Sequence, residues 1–173
     1  ISSRTRGNLT CPLVLRVPIG GGIHAPEHHS DSPEAIYTHT PGLKIVMPSS
    51  PYDAKGLLIS AIRDPNPVIF FEPKRIYRSF REDVPEDEYT IPIGAARVVC
   101  EGEELTMISW GATVIQCMNA IEQSGKSIEL IDLRTISPID MDTIANSVNK
   151  TGKCVVVHEA PKTCGLGAEI AAG

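Results

Sequence analysis

Residues 20–48 read GGGIHAPEHHSDSPEAIYTHTPGLKIVMP, and the reading of the fold turns on them. Three glycines lead into a loop that holds His24, His28 and His29. Ser32, Pro33 and Glu34 predict a helix start: serine suits the N-cap, proline the first position, and glutamate the positive helix end. Pro41 and Gly42 end that helix, which leaves a short element over 33–39. Residues 43–47, LKIVM, then read as a buried strand. Residues 20–22 permit a sharp turn or a close approach of backbone to a ligand. Glycine loop, imidazoles and helix start together make a candidate site mouth.

The pattern continues on both sides. Residues 13–17, LVLRV, predict a buried strand in which Arg16 needs a partner if buried. Ser50, Pro51 and Asp53 signal a second helix start, and Ala54, Leu57, Leu58, Ala61 and Ile62 recur at helical spacing. Asp64-Pro65-Asn66-Pro67 stops it, because a residue before proline resists helical angles. Residues 68–71, VIFF, give a third strand. Strand, helix, strand, helix, strand implies right-handed crossovers and a parallel sheet.

Composition changes after Glu72. EPKRIYRSFR carries four positive charges and EDVPEDEY five negative ones. Residues 73–96 read as a connection, partly packed because Ile76, Tyr77, Phe80 and Tyr89 are too apolar for a free linker. Its charge run reads as a solvated face. A second α/β unit follows. Residues 97–100 and 105–109 suggest a hairpin or paired strands around Glu101-Gly102. A helix over 112–123 turns Val114, Met118 and Ile121 inward, and 128–132 is a strand. Asp140 begins a helix with Met141, Ile144, Ala145 and Val148 inward, and Gly152 stops it. Residues 154–157 are a strand, and Gly165-Leu166-Gly167 opens a last helix.

The 173 residues allow one large or two small domains, and 42% hydrophobic content fits a packed core. A formal charge of −5 argues against nucleic acid as the main partner. No apolar run reaches the roughly 20 residues of a membrane helix, so no membrane partner is expected. Five cysteines, widely spaced and without C-x-x-C, predict reduced thiols rather than a zinc ribbon or redox pair. ISSRTRGN is neither a leader nor a start, and the last helix breaks off early, so an internal piece of a longer protein is expected.

Residue chemistry leaves several readings open. His24 and His28 have i, i+4 spacing, which suits zinc on a helix, but Pro26 and the glycines oppose a helix there. His29, Ser30 and Asp31 adjoin in sequence, which does not make a hydrolase triad, and no G-x-S-x-G elbow exists. Gly165-Leu166-Gly167 lacks the lysine of a phosphate loop. His28 or His29 remains an acid/base candidate, since imidazole titrates near neutrality, and a plain surface-loop histidine stands beside that reading.

PLVLRVPIGGG, HHSDSPEA, HTPGLKIVMPSSPYDAKGLL, AIRDPNPVIFFEPKRIYR, SWG, IDLRTISPID and HEAP occur in that order along the whole chain. Together they resemble the beta subunit of the thiamine-diphosphate-dependent 2-oxo acid dehydrogenases. These are the decarboxylating first components of the pyruvate and branched-chain 2-oxo acid dehydrogenase complexes. The resemblance implies an α/β fold: part of a parallel-sheet, transketolase-type pyrimidine-binding domain at 1–84, a connection at 85–94, and part of a transketolase C-terminal-type α/β domain at 95–173. It implies an alpha2-beta2 heterotetramer that decarboxylates a 2-oxo acid and passes the acyl group to a lipoyl-bearing dihydrolipoyl acyltransferase core. Thiamine diphosphate with magnesium would be shared with the alpha subunit. The family's activating glutamate falls upstream of Ile1, so no cofactor-binding residue is assigned and this stretch alone is expected to be inactive.

By the same resemblance His29 is the catalytic histidine, with Asp31 standing where the family has glutamine. A potassium site would be built from Leu13, Val14, Ala61, Asp64 and Asn66. A helix C-terminus offers free carbonyls and an aspartate suits a hard cation, although Asp64 and Asn66 could simply shape a proline-rich turn. HHSDSPEA leans towards branched-chain acids. A prokaryotic cytoplasm or a mitochondrial matrix is the expected location. The alternatives are a transketolase or deoxyxylulose-phosphate-synthase-like thiamine enzyme, and a non-catalytic assembly subunit.

Overall fold

The computed structural model describes residues 4–22, 24 and 30–173. Strands β1 (Val14–Ile19), β2 (Lys44–Val46) and β3 (Val68–Pro73) alternate with helices α1 (Glu34–Thr38) and α2 (Pro51–Arg63). β3 lies between β1 and β2, parallel to both. That is the parallel sheet expected of alternating strands and helices. Its fourth strand comes from far along the chain: β7 (Thr135–Ser137) pairs antiparallel with β2. A three-residue strand gives no periodic signal, and the sequence did not reveal it.

The second sheet has the order β4 (Arg97–Cys100), β6 (Ile128–Asp132), β5 (Leu105–Ser109), β8 (Cys154–Val156). β5 is parallel to β6 and β8, with α3 (Thr113–Ser124) and α4 (Met141–Thr151) as crossovers. The expected pairing of 97–100 with 105–109 is corrected. β4 instead pairs antiparallel with β6, Arg97 opposite Asp132 and Val98 opposite Ile131. The link cannot close a simple hairpin because it passes tightly over β6: a Cβ on Gly102 would come 2.2 Å from the Ile128 carbonyl carbon.

Local signals explain most element ends. Ser50 Oγ accepts from Asp53 N at 3.2 Å, with Pro51 at the first helical position of α2. Asp140 Oδ1 accepts from Thr143 N at 3.1 Å and starts α4, which Gly152 ends at φ 71°. α1 departs from expectation: its N-cap is Pro33, without a side-chain bond, not Ser32. Inward faces also differ in detail. Cys117 and Ser147 are buried, whereas Met118, Ala145 and Ile62 are exposed. Arg16 is exposed and pairs with Glu72.

The two sheets share one core. Ile45, Met47, Ile69 and Phe71 of the first pack with Ile108, Trp110, Ile131 and Leu133 of the second. The segment after β3 packs on α2. Tyr89 stacks on Tyr52 at 4.5 Å, and Ser60 Oγ donates to the Ile91 carbonyl at 2.6 Å. Lys55 Nζ donates to the Pro85, Glu86 and Asp87 carbonyls.

Candidate active site

Ligands of open α/β sheets bind outside the carboxyl ends of the parallel strands. Here those ends meet. β1 runs into the glycine–histidine loop, β3 into Arg75, β5 into Trp110, and β8 into His158 and Glu159. Gly20 N donates to the Asp31 carbonyl at 2.9 Å, which draws the two ends of the histidine loop together. Gly20 has φ 92°, and a Cβ there would lie 3.2 Å from Glu159 Oε2. The left-handed backbone is what favours glycine here, and the Glu159 carboxylate lies close against it. His24 is exposed with φ 54°, which is not helical backbone, so no helix presents it with His28. His28 and His29 lie outside the described residues.

Behind the loop the two halves meet on a polar wedge. Glu34, in the first turn of α1, is 2% exposed. The Trp110 side chain adjoins it on the wall of one small cavity, and Oε2 has no partner among the described residues. Burial pushes the Glu34 carboxyl up from its ordinary range. Its own amide, Trp110 and His158 oppose that rise, and Glu159 adds to it. Trp110 stacks on His158 at 5.2 Å, and His158 Nδ1 is likewise buried without a partner among the described residues. Arg75 Nη1 stands 3.7 Å from Glu159 Oε1. The sequence marked these residues only as parts of SPEA, SWG and HEAP, because a buried glutamate at a helix start looks the same as a solvated one.

A second polar cluster ties α2 to the turn that follows β6. Asp53 and Asp132 have no exposed surface. Arg134 Nη1 lies 3.3 Å from Asp53 Oδ1, and Arg134 Nη2 donates to the Ala95 carbonyl at 3.0 Å. Ser49 Oγ donates to Asp132 Oδ2 at 2.5 Å. The Asp132-Leu133-Arg134-Thr135 motif is thus the crossing between the sheets, and Met47 N donates to the Arg134 carbonyl at 2.8 Å.

Of the residues expected at a cation site, Ala61, Asp64 and Asn66 lie at the end of α2, and Leu13 and Val14 lie beside β3. Asp64 is its C-cap and its N–H donates to the Ala61 carbonyl at 3.3 Å. Val68 N donates to the Leu13 carbonyl at 2.8 Å, and Val14 is opposite Val68. Asp64 already has partners: Asn66 N at 2.9 Å and Asn66 Nδ2 at 3.1 Å on Oδ1, Lys44 Nζ at 2.5 Å on Oδ2. Burial raises the Asp64 carboxyl, but these bonds outweigh it and hold it below its ordinary value. Among the described residues no group of three or more His, Cys, Asp or Glu side chains could hold a metal ion.

Comparison with known proteins bears on the same arrangement. Residues 1–79 match the transketolase pyrimidine-binding domain and residues 94–173 the transketolase C-terminal domain. The pyruvate dehydrogenase E1 component subunit beta of Mycoplasma genitalium is 56% identical over 173 residues, covering 98% of this chain and 53% of that protein. The protein of the same name from Staphylococcus aureus is 54% identical over 172 residues, covering 98% of this chain and 53% of its own length. The chain therefore spans about half the length of the curated relatives it matches. A solved split-gene transketolase, described as an inactive beta4 tetramer, superposes with a TM-score of 0.75 at 19% identity. It is matched over 99% of this chain and 59% of its own, and it shares the fold.

Proposed function

We infer, for a chain that belongs to the family of 2-oxo acid dehydrogenase beta subunits, that it forms part of the decarboxylating component acting on pyruvate. The observation that carries this reading is 56% identity, over 98% of the chain, to a protein named as the pyruvate dehydrogenase beta subunit. That name favours pyruvate over the branched-chain acids to which HHSDSPEA leans. The partners proposed are an alpha subunit, in an alpha2-beta2 heterotetramer, and a lipoyl-bearing acyltransferase core. The compartment is the one that houses that core. No helix among the described residues is long and apolar enough to cross a membrane.

We propose that thiamine diphosphate binds beside the carboxyl end of β1. Gly20 and Gly22 carry left-handed backbone at the end of β1, and a Cβ on Gly22 would come 2.8 Å from Arg75 Cδ. The glycines thus let the Arg75 and Glu159 side chains lie against the backbone at this strand end. When bound, the cofactor takes up the electron pair released on decarboxylation. Magnesium is assigned to the alpha subunit's side. In this proposal His29 moves a proton as the acyl group passes to the lipoyl disulfide. The bond between Gly20 and Asp31 keeps the loop that carries it short-spanned at its base. Trp110 and Met47 are buried in the shared core behind these strand ends. A monovalent cation at Leu13, Val14, Ala61, Asp64 and Asn66 is proposed as a structural clamp.

The complete beta subunit, assembled with its alpha subunit and a lipoyl acceptor, tests the substrate. Pyruvate, after loss of carbon dioxide, should acylate the lipoyl group faster than 3-methyl-2-oxobutanoate does. One methylene in a pocket discriminates by about 1–3 kcal/mol, so about a tenfold preference or more is expected. Preference for the branched acid would restore the first reading, and turnover of neither would end the proposal.

A further inference from the structure

Glu34, Trp110 and Glu159 line one small cavity between the carboxyl ends of the two sheets, with Ile19, Ser32 and Met47. Its volume is about 10 Å³, which is about the room one water needs. Glu34 is 2% exposed, and its Oε2 has no partner among the described residues. A bare carboxylate oxygen in such a place is costly, whereas a carboxylic acid can donate from it.

We propose that Glu34 is a positioning residue for the loop carrying His29: wedged against Trp110, its carboxyl group donates a hydrogen bond to one water in this cavity and thereby fixes the loop's exit. The placement is what the sequence order requires. Asp31 closes the loop on Gly20, Ser32 lines the cavity, and Glu34 enters it two residues later. Among the described residues the charged and titratable groups facing Glu34 are His158 and Glu159, beyond β8. Arg75 faces Glu159 in turn, so the negative charge on the far side of the cavity already has a partner. Trp110 links the wedge to the second sheet, so loop position and sheet contact are coupled through a single side chain.

The inference draws on the proposed role of His29 only for its activity readout. Its test is made in the complete beta subunit assembled with its alpha subunit, using Glu34→Gln and Glu34→Leu. Glutamine keeps a neutral donor of the same shape, and leucine keeps only the volume. Glu34→Gln should retain lipoyl acylation within about twofold and the wild-type amide exchange of residues 20–31. Glu34→Leu should lower kcat by about 10- to 100-fold with KM little changed, as a misplaced catalytic group does, and should speed exchange in 20–31. Damage by glutamine equal to that by leucine, or unchanged exchange and kcat in both, would overturn the proposal. Should Glu34→Leu fail to fold, infrared spectroscopy decides. A neutral-carboxyl band at neutral pH in the wild type, lost in Glu34→Gln, supports it, and absence of that band overturns it. A wild type that turns over no 2-oxo acid would refute the proposed function alone, since exchange and infrared bands still read the wedge.

Discussion

Asp132 sits beside Asp53 with no exposed surface, and both answer to arginines. Arg97 Nη2 lies 3.4 Å from Asp53 Oδ2 and 3.7 Å from Asp132 Oδ2, and Arg134 completes the set on Asp53. Two carboxyls and two guanidiniums balance in formal charge, yet burial dominates Asp132 and pushes it up to about 6. Asp53 adds to that rise, and Ser49, Arg97 and the Arg134 amide oppose it. A carboxyl whose folded value exceeds its unfolded one binds its proton more tightly when folded. Its contribution to stability is therefore full below about 4 and is lost as pH rises through about 6. Asp132→Asn should flatten the fall of stability between those values, measured by denaturant unfolding of the wild-type and variant subunits across the window. Equal slopes would contradict the assignment. Glu34 has the same sign, and Asp64 and Asp140 the opposite one, so only the difference between the two proteins is diagnostic. Sequence could place Asp53 in a helix's first turn but not show which side chain it meets 81 residues later.

Among elements, α2 was the most legible. A serine cap, a proline at the first position, an apolar stripe and a proline stop all act between Ser50 and Pro67, where propensity and local bonds decide. β7 and the partner of β4 were illegible for the opposite reason. Their pairings join distant segments, and three or four residues carry too little pattern to announce them. Met118 misled because it keeps helical spacing from Val114, yet α3 turns Cys117 inward instead. The end of α2 is also where a cation would act. Free carbonyls of a helix terminus and Asp64 suit a hard monovalent ion, but Lys44 already supplies positive charge there. If a potassium clamp is present as well, replacing potassium by sodium or lithium should lower the thermal midpoint of the subunit. An unchanged midpoint would contradict the clamp.

At the scale of the molecule, the order of elements was legible and the joining of the halves was not. Strand–helix alternation predicts two α/β units, but it says nothing of Thr135–Ser137 crossing back to the first sheet. Nor does it show that Trp110 and Met47 share one core. That joining brings the ends of β1, β3, β5 and β8 to one face, beneath a loop whose base is held by Gly20 and Asp31. The sequence marks a candidate loop by its histidines after glycines, and His28 and His29 lie outside the described residues. Its buried support, Glu34 with Trp110 and His158, was not legible, because burial is a property of the assembled fold. The most direct test of the account is pyruvate-dependent lipoyl acylation by the assembled alpha and beta subunits, comparing wild type with His29→Ala. A fall of about 100-fold or more in the variant, the scale of general acid–base catalysis, is the predicted result, and near-normal acylation would contradict it.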